Sequence, residues 1–319
     1  MTADFSDNGS FYSGRPRVTV VGCGGAGNNT INSIHLNVTG IARTIALNTD
    51  AAHLLRVRAD RKLLIGRGMT GGRGAGGNVQ LALRAAEEAR DSIRKEIEGS
   101  DMVFILAGMG GGTGTGSSIV VASAAREAGA LPVSIVSMPF AFEKGRKERA
   151  GDYLRELVNL SESTVMLEND RLAAAFPDQN MHNAFTVMDT LISDLVSNVT
   201  SALVRPSLLN INYSDMRSVM RSGKMATMIF SENEDVPSLV RDAVRLPMLQ
   251  QSICDAKGAI IHVSGGKSLT LEKMHRILEQ AHSSLGRCAN IILGAREDDR
   301  ESALLSMTAI VTGVGADAF

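Results

Sequence analysis

Gly108-Met-Gly-Gly-Gly-Thr-Gly-Thr-Gly116 is the stretch on which the reading of this chain turns. It follows a short apolar run, Asp101 to Leu106, that reads as a buried strand, and it opens a helical pattern over Ile119 to Ala128. Backbone N–H groups in such a loop can converge on phosphate oxygens, helped by the positive end of the following helix. Thr113 and Thr115 can add hydroxyl donors. No Lys-Ser/Thr pair follows, so the loop is not a Walker P-loop.

Two further glycine loops stand upstream. Gly22-Cys-Gly-Gly-Ala-Gly27 joins the β-branched run Arg17-Val-Thr-Val-Val21 to a helix and fits G-x-G-x-x-G, the dinucleotide fingerprint. The acid which that fingerprint expects about 20 residues on is not clean, since Asp50 falls later. Gly71-Gly-Arg-Gly-Ala-Gly-Gly-Asn78 precedes a helix predicted over Val79 to Glu98, where Leu81, Ala85, Ala89 and Ile93 recur at helical spacing. Three such loops at the ends of successive strands would surround one polyphosphate at the carboxyl edge of a sheet. A hydride-transfer enzyme needs only one.

Further strands are predicted at Ile41 to Leu47 and Pro132 to Met138, alternating with helices, which implies an α/β parallel sheet with right-handed crossovers. From His182 to Leu203 the apolar positions Phe185, Met188, Leu191, Ile192, Leu195 and Val199 mark one long amphipathic helix. Beyond Arg205-Pro206 a helix around Pro237 to Arg245 precedes strands at Ala259–Val263, Asn290–Ala295 and Ser306–Thr312, with a helix from Leu271 to Ala281 between the first two. The chain therefore divides into a flexible tail (1–15), a Rossmann-like parallel-sheet domain (16–181), a central helix (182–204) that acts as a spine, and a smaller α/β domain (205–319).

Composition narrows the function. The chain has 319 residues with 44% hydrophobic and 21% charged, which excludes general disorder, and a formal net charge of −1, which gives no field for nucleic acid. Aromatics are 4% with no Trp, so stacking on nucleic-acid bases is not expected. Cys23, Cys254 and Cys288 are far apart without metal-ligand spacing, which reads as a reduced, cytosolic chain with no metal site of its own. The polar N-terminus has no signal-peptide pattern, and no apolar run suggests insertion into a membrane. Glycine, at 32 residues, is the unusual number, and it is concentrated between Gly22 and Gly116.

Gly110-Gly-Gly-Thr-Gly-Thr-Gly116 is the signature of the tubulin/FtsZ family, and from about Arg17 to about Gly313 the chain resembles FtsZ, the prokaryotic cell-division GTPases. The resemblance includes Asn48-Thr-Asp50, Gly74-Ala-Gly-Gly-Asn78, Pro139-Phe-Ala-Phe-Glu143, Asn169-Asp170 and Asn183-Ala-Phe185 with Asp189. It continues through Arg205-Pro-Ser-Leu-Leu-Asn210, Gly265-Gly-Lys-Ser-Leu-Thr-Leu271 and Ala289-Asn-Ile-Ile-Leu-Gly294. It implies a GTP-binding domain, a long central helix and a C-terminal activation domain.

The resemblance also assigns roles. Gly24, Gly25 and Asn28 would line the phosphates and nucleotide, with Asp50 and Pro139 nearby. Ala75, Gly76 and Gly77 would meet the γ-phosphate, and Gly111, Gly112, Thr113, Gly114, Thr115 and Gly116 the α- and β-phosphates, with Gly108 also at the nucleotide. Glu143 would accept from ribose hydroxyls, Phe185 would stack on the base, and Asn169 would complete base recognition. Asp189, one turn after Phe185, would pair with the N1–H and N2–H₂ edge of guanine and so select GTP over ATP. The bland readings are core packing for Phe185 and a solvated carboxylate for Glu143. The usual Glu-Gly-x-x-Arg is here Glu143-Lys-Gly-Arg-Lys147, leaving Arg146 or Lys147 as the cation near ribose or phosphate.

Hydrolysis in this family draws on a loop of the next subunit, with the pattern Asn-x-Asp-x-x-Asp. This chain reads Asn210-Ile-Asn-Tyr-Ser-Asp215, with Asn212 in place of the first Asp. An amide orients water but takes no proton, so Asp215 is expected to polarise the attacking water, with Asn210 and Asn212 positioning it. The bland reading of Asp215 is an N-cap for a helix over Met216 to Met220.

The implied protein is a head-to-tail homopolymer with GTP or GDP as ligand, Mg2+ alongside GTP, and an assembly-dependent GTPase that Asn212 can slow. It would lie in the cytoplasm at the division site with membrane-tethering and regulatory partners. The linker and adaptor-docking peptide that the resemblance would add are not visible before Phe319. A slow or non-hydrolysing scaffold of the same fold and an NAD(P)-dependent Rossmann oxidoreductase are the alternatives.

Overall fold

The computed structural model describes residues 15–175, 181–205, 208–209, 211–245, 248, 252–267, 269–286, 289–298 and 303–315. The predicted first strand is β1 (Val18–Cys23), buried along its whole length, and the first glycine loop passes straight into α1 (Gly24–Val38). Then come β2 (Ala42–Asn48), α2 (Ala51–Arg56), β3 (Arg61–Leu64), α3 (Arg67–Thr70), α4 (Val79–Glu88), α5 (Arg90–Ile97) and β4 (Met102–Gly108). They are followed by α6 (Gly112–Glu127), β5 (Leu131–Met138), α7 (Lys144–Leu160), β6 (Ser163–Glu168), α8 (Asn169–Ala175) and α9 (Met181–Val204). The remainder is α10 (Tyr213–Arg221), β7 (Met225–Asn233), α11 (Val236–Arg245), β8 (Gly258–Gly265), α12 (Leu271–Leu285), β9 (Asn290–Glu297) and β10 (Leu305–Thr312).

All ten strands form one sheet in the order β3-β2-β1-β4-β5-β6-β7-β10-β8-β9. The first six strands are parallel and follow the doubly wound order 3-2-1-4-5-6. The two halves meet where β6 pairs with β7 over Thr164–Met225 and Val165–Ala226, and β10 then runs antiparallel to both β7 and β8. One core lies under α4 to α7, α11 and α12, the other under α1, α2, α9 and α10. α9 is the spine that the 3.6-residue period indicated, packing on α1 and on strands of the second half. Its segment Asn183–Val204, at mean hydropathy 1.2, is long and apolar enough to cross a membrane, which the sequence reading did not credit. Here that apolar face is core.

Three expectations need correction. The helix predicted over 79–98 is two helices, because Ala89 (φ −94°, ψ 6°) closes α4 and α5 restarts at Arg90. Arg90 there reaches α6 through Ser123 at 2.7 Å and Glu127 at 2.9 Å. The helix predicted from Ile119 begins at Gly112, so half of the glycine loop is helical. A Cβ at Gly116 would meet Val79 O and Leu83 N of α4 at 2.7 Å, so the close approach of the two helices demands glycine. Helices α2, α3, α7 and α8 and strands β3, β6 and β7 were missed.

Gly27 decides how α1 seats on the sheet. A Cβ there would overlap the carbonyl oxygen of Leu106 in β4, which is backbone and cannot swing aside. Gly27→Ala is expected to cost about 1–3 kcal/mol, measured as a lowered urea midpoint at unchanged slope.

His262 in β8 sets the acid limit of the second half. It is 1% exposed, and neither ring nitrogen has a hydrogen-bond partner among the described residues. Burial, with the Arg296 charge adding to it, pushes its pKa down to about 4. The unfolded chain therefore binds the proton first as pH falls below the ordinary histidine value near 6.5. Stability is lost between that pH and about 4, by up to about 3 kcal/mol. Denaturation midpoints at pH 7 and 4.5 should show this loss, and His262→Leu should reduce it.

Candidate functional site

The order of β1 and β4 places the site. They are neighbours, yet their helices α1 and α6 pack on opposite faces, so a crevice opens between the two loops at the carboxyl edge. A cavity of about 790 Å³ lies there, lined by all three glycine loops. Gly24, at φ +70°, sits so close to Gly114 that a Cβ would come 2.5 Å from the Gly114 nitrogen. Likewise Gly112 presses on Ala75 and Asn78. The three loops are thus one packed unit. In contrast, a Cβ on Gly25, Gly76 or Gly111 would meet no protein atom within 4 Å, and all three line the cavity.

Helix capping points the same way. α2, α4, α10 and α12 begin with side-chain caps from Asp50, Asn78, Asn212 and Thr270. Lacking such a cap, as α3, α5 and α7 also do, α1 and α6 begin at the cavity. Their first-turn N–H groups and positive ends face the cavity, the arrangement that binds phosphate.

Of the expected site residues, Gly25, Asp50, Gly76, Gly77, Gly108, Gly111, Gly112, Thr113, Gly114, Pro139, Glu143, Arg146, Asn169 and Phe185 line this cavity. Others lie off it. Asn28 is buried and donates to Leu47 O at 3.2 Å. Thr115 accepts from Gly110 N–H at 2.9 Å, so its hydroxyl shapes the loop instead of lining the cavity. Thr113 lines the cavity, but its hydroxyl pairs with that of Thr49 at 2.7 Å. Gly24, Ala75 and Gly116 serve packing between the loops and helices.

Between the two candidate cations, the cavity takes Arg146, which pairs with Glu143 at 2.7 Å, and leaves Lys147 exposed outside it. Arg149 also lines it, its Nε donating to Gly110 O at 3.1 Å. Reading α7 as a helix would have found it, because Arg149 follows Arg146 by three residues. Asn29, Asn48 and His53 were missed as well. Cys23 is no nucleophile, since burial pushes its thiol up to about 12.

A second cavity of about 400 Å³ adjoins the first, sharing Asn29, Asn169 and Phe185. Asp189 lies in it, accepting from the Thr30 hydroxyl at 2.6 Å. Burial raises this carboxyl to about 6, and the Thr30 bond offsets part of that. Asn169 is buried, and its Oδ1 has no partner among the described residues. Phe185 is 42% exposed, edge-on to Phe140 at 5.8 Å, so it is a rim aromatic and not core. A flat ring, a part-buried carboxylate and an unsatisfied amide oxygen suit a base with donors on one edge.

The loop before α10 sits elsewhere. Asn212, not Asp215, is the N-cap: its Oδ1 accepts from Asp215 N at 2.8 Å, and its Nδ2 donates to Asp215 Oδ2 at 2.5 Å. Asn210 lies outside the described residues. Tyr213 donates its hydroxyl to Asp101 O, just before β4 begins, at 2.7 Å. The glycine loop follows the other end of β4, which is 7 residues long. At about 3.3 Å per residue the two ends are roughly 20 Å apart.

A doubly wound sheet whose switch-point crevice offers uncapped helix ends and a part-buried carboxylate defines a nucleotide-binding α/β protein. The comparisons say which. The tubulin/FtsZ family GTPase domain matches residues 17–177, and the FtsZ family C-terminal domain matches 222–315. Cell division protein FtsZ 2 of Halobacterium salinarum is 40% identical over 305 residues, covering 94% of this chain and 77% of that one. FtsZ 2 of Methanocaldococcus jannaschii is 40% identical over 308 residues, covering 94% and 81%. A solved M. jannaschii structure described as an empty FtsZ dimer superposes with a TM-score of 0.89 at 38% identity, covering 94% and 88%. The chain belongs to the FtsZ family, the filament-forming GTPases of cell division. The oxidoreductase alternative is set aside by the same matches.

Proposed function

We propose that GTP lies across the two adjoining cavities and is hydrolysed where the Asn210–Asp215 edge of a second copy closes over its γ-phosphate. The observation that carries this reading is the separation of the two edges along β4: the phosphate loops have no Asp215 within one chain. A contact between opposite ends is heterologous and does not close, so it builds a filament. The M. jannaschii relative has been solved as a dimer.

The phosphates sit on the N–H groups of Gly25, Gly76, Gly77 and Gly111 to Gly114 and on the positive ends of α1 and α6, with Arg146 and Arg149 beside them. Glu143 receives the ribose hydroxyls while held by Arg146. Phe185 stacks on guanine, and Asp189 accepts from its N1–H and N2–H₂ edge. Asn169 offers its unsatisfied Oδ1 to the base. Mg2+ would be held mainly by phosphate oxygens and water, with Asp50, whose Oδ1 also caps α2 by accepting from His53 N at 3.0 Å, the carboxylate that lines the cavity beside the second glycine loop. It would neutralise charge that develops on those oxygens.

Asp215 polarises the attacking water. Asn212 acts by holding that carboxylate, its amide already committed to Asp215 through both atoms. Its neutral side chain leaves one carboxylate in the loop, so hydrolysis proceeds through Asp215 and depends on assembly. The protein works in the cytoplasm at the division site, tethered to the membrane by adaptor proteins. Turnover per protomer measured against protein concentration tests the reading. It should rise sharply through the assembly threshold, and a constant value would refute it.

A further inference from the structure

The cavity contains a hydrogen-bonded chain whose polarity is set by the backbone. Asn48, the last residue of β2, accepts on Oδ1 from Thr49 N at 2.9 Å and Asp50 N at 3.2 Å. Two backbone donors fix which side of this amide is oxygen. Its Nδ2 therefore faces His53 Nδ1, at 3.3 Å, and donates to it. A ring that accepts on Nδ1 carries its proton on Nε2. His53 Nε2–H then donates to Asn29 Oδ1 at 3.1 Å. That bond fixes which side of the Asn29 amide is oxygen and leaves its N–H₂ group to donate to a ligand.

All three side chains line the large cavity, and Asn29 lines the base-side cavity as well. Asn29 therefore stands where the two halves of the site meet. Asn28, its neighbour, is turned away to Leu47 O.

We propose that His53 is a positioning residue that locks the Asn29 amide so that its N–H₂ donates to an oxygen of the bound nucleotide where the phosphate and nucleoside halves join. The proposal rests on the GTP reading of the cavity. His53 touches no ligand atom in this account and performs no proton transfer. It converts backbone orientation at the end of β2 into donor polarity on α1, across two loops that meet only in the folded chain.

Titration with a fluorescent GTP analogue tests this in the wild type, His53→Ala, His53→Gln, Asn29→Ala and the double alanine variant. Loss of one ligand hydrogen bond weakens affinity by about threefold to tenfold. His53→Ala should show that loss, with turnover at saturating GTP within about twofold of wild type, since the bond is made equally in ground and transition states. Glutamine places an acceptor and a donor at the ends of one amide and should restore most of the affinity. The double variant should be no weaker than Asn29→Ala, because the two residues act as one unit. Unchanged affinity in His53→Ala, additive losses in the double variant, or failure of glutamine to rescue would each overturn the proposal. Failure of the wild type to bind GTP would instead overturn the nucleotide reading. Should His53→Ala not fold, His53→Gln and Asn29→Ala decide the matter: near-wild-type affinity in the first with loss in the second supports it, and any other pair refutes it.

Discussion

Asp215→Ala is expected to bind GTP as the wild type does and to turn it over about 10²–10⁴ times more slowly. The loss is large because Asn212, unlike the aspartate usual in the family, cannot take a proton and so cannot stand in. The fold should survive the change. The bond that caps α10 runs from the backbone N–H of residue 215 to Asn212 Oδ1, and alanine keeps that N–H. Only the exposed side-chain bond from Asn212 Nδ2 is lost. Single-turnover rates with matched filament mass separate this chemical defect from an assembly defect. Turnover equal to the wild type would remove Asp215 from the mechanism.

Asp189→Asn should lower GTP affinity by about 10²-fold or more, since it removes charge-assisted bonds worth roughly 1.5–3 kcal/mol each. It should also turn the preference toward xanthosine triphosphate. The asparagine amide offers a donor where guanine presents its 2-amino group, whereas xanthine presents a carbonyl there. The pH dependence follows from the raised carboxyl, about 6 in the unliganded protein. With guanine paired to the ionised form as proposed, GTP affinity is expected to rise with pH up to about 6 and to level off above it. The same shift means that ionising Asp189 costs the unliganded fold stability as pH rises from the ordinary aspartate range through about 6. At pH 7 that cost is up to about 3 kcal/mol, which Asp189→Asn should recover as a higher apo melting temperature. Competition binding with GTP and XTP at pH 5 to 8, together with apo melting curves, checks both signs.

The glycine loops were legible because their chemistry is backbone chemistry. Repeated glycine before a helix leaves few uses other than close approach, and the structure divides those uses between Gly24 and Gly114, pressed on each other, and Gly25, Gly76 and Gly111, open to the cavity. Side-chain roles were harder. Thr115 looks from the sequence like a phosphate donor, but its hydroxyl is taken by Gly110 N–H, a partner fixed only by the turn of the loop. The charged first turns of α7 hid its periodicity, and with it Arg149. His53 carries no local signal, because its partners come from the end of β2 and from α1. The single ten-stranded sheet was not legible either: a join of two residue pairs between β6 and β7 leaves no pattern along the chain. In Asn210-Ile-Asn-Tyr-Ser-Asp215 a helix cap and the proposed hydrolytic loop share residues. Folding assigned the cap to Asn212 and left the Asp215 carboxylate at the surface.

Mixing two inactive variants tests the central claim, that the hydrolytic site is divided between copies. Asp215→Ala keeps its pocket and lacks the loop, and Asp189→Asn keeps its loop and lacks the GTP pocket. In an equal mixture, at a GTP concentration that fills the wild-type pocket and leaves that of Asp189→Asn largely empty, a random junction joins a sound pocket to a sound loop about a quarter of the time. GTP turnover should therefore reappear at a substantial fraction of the wild-type value. Turnover no greater than the sum of the two variants alone would contradict the account.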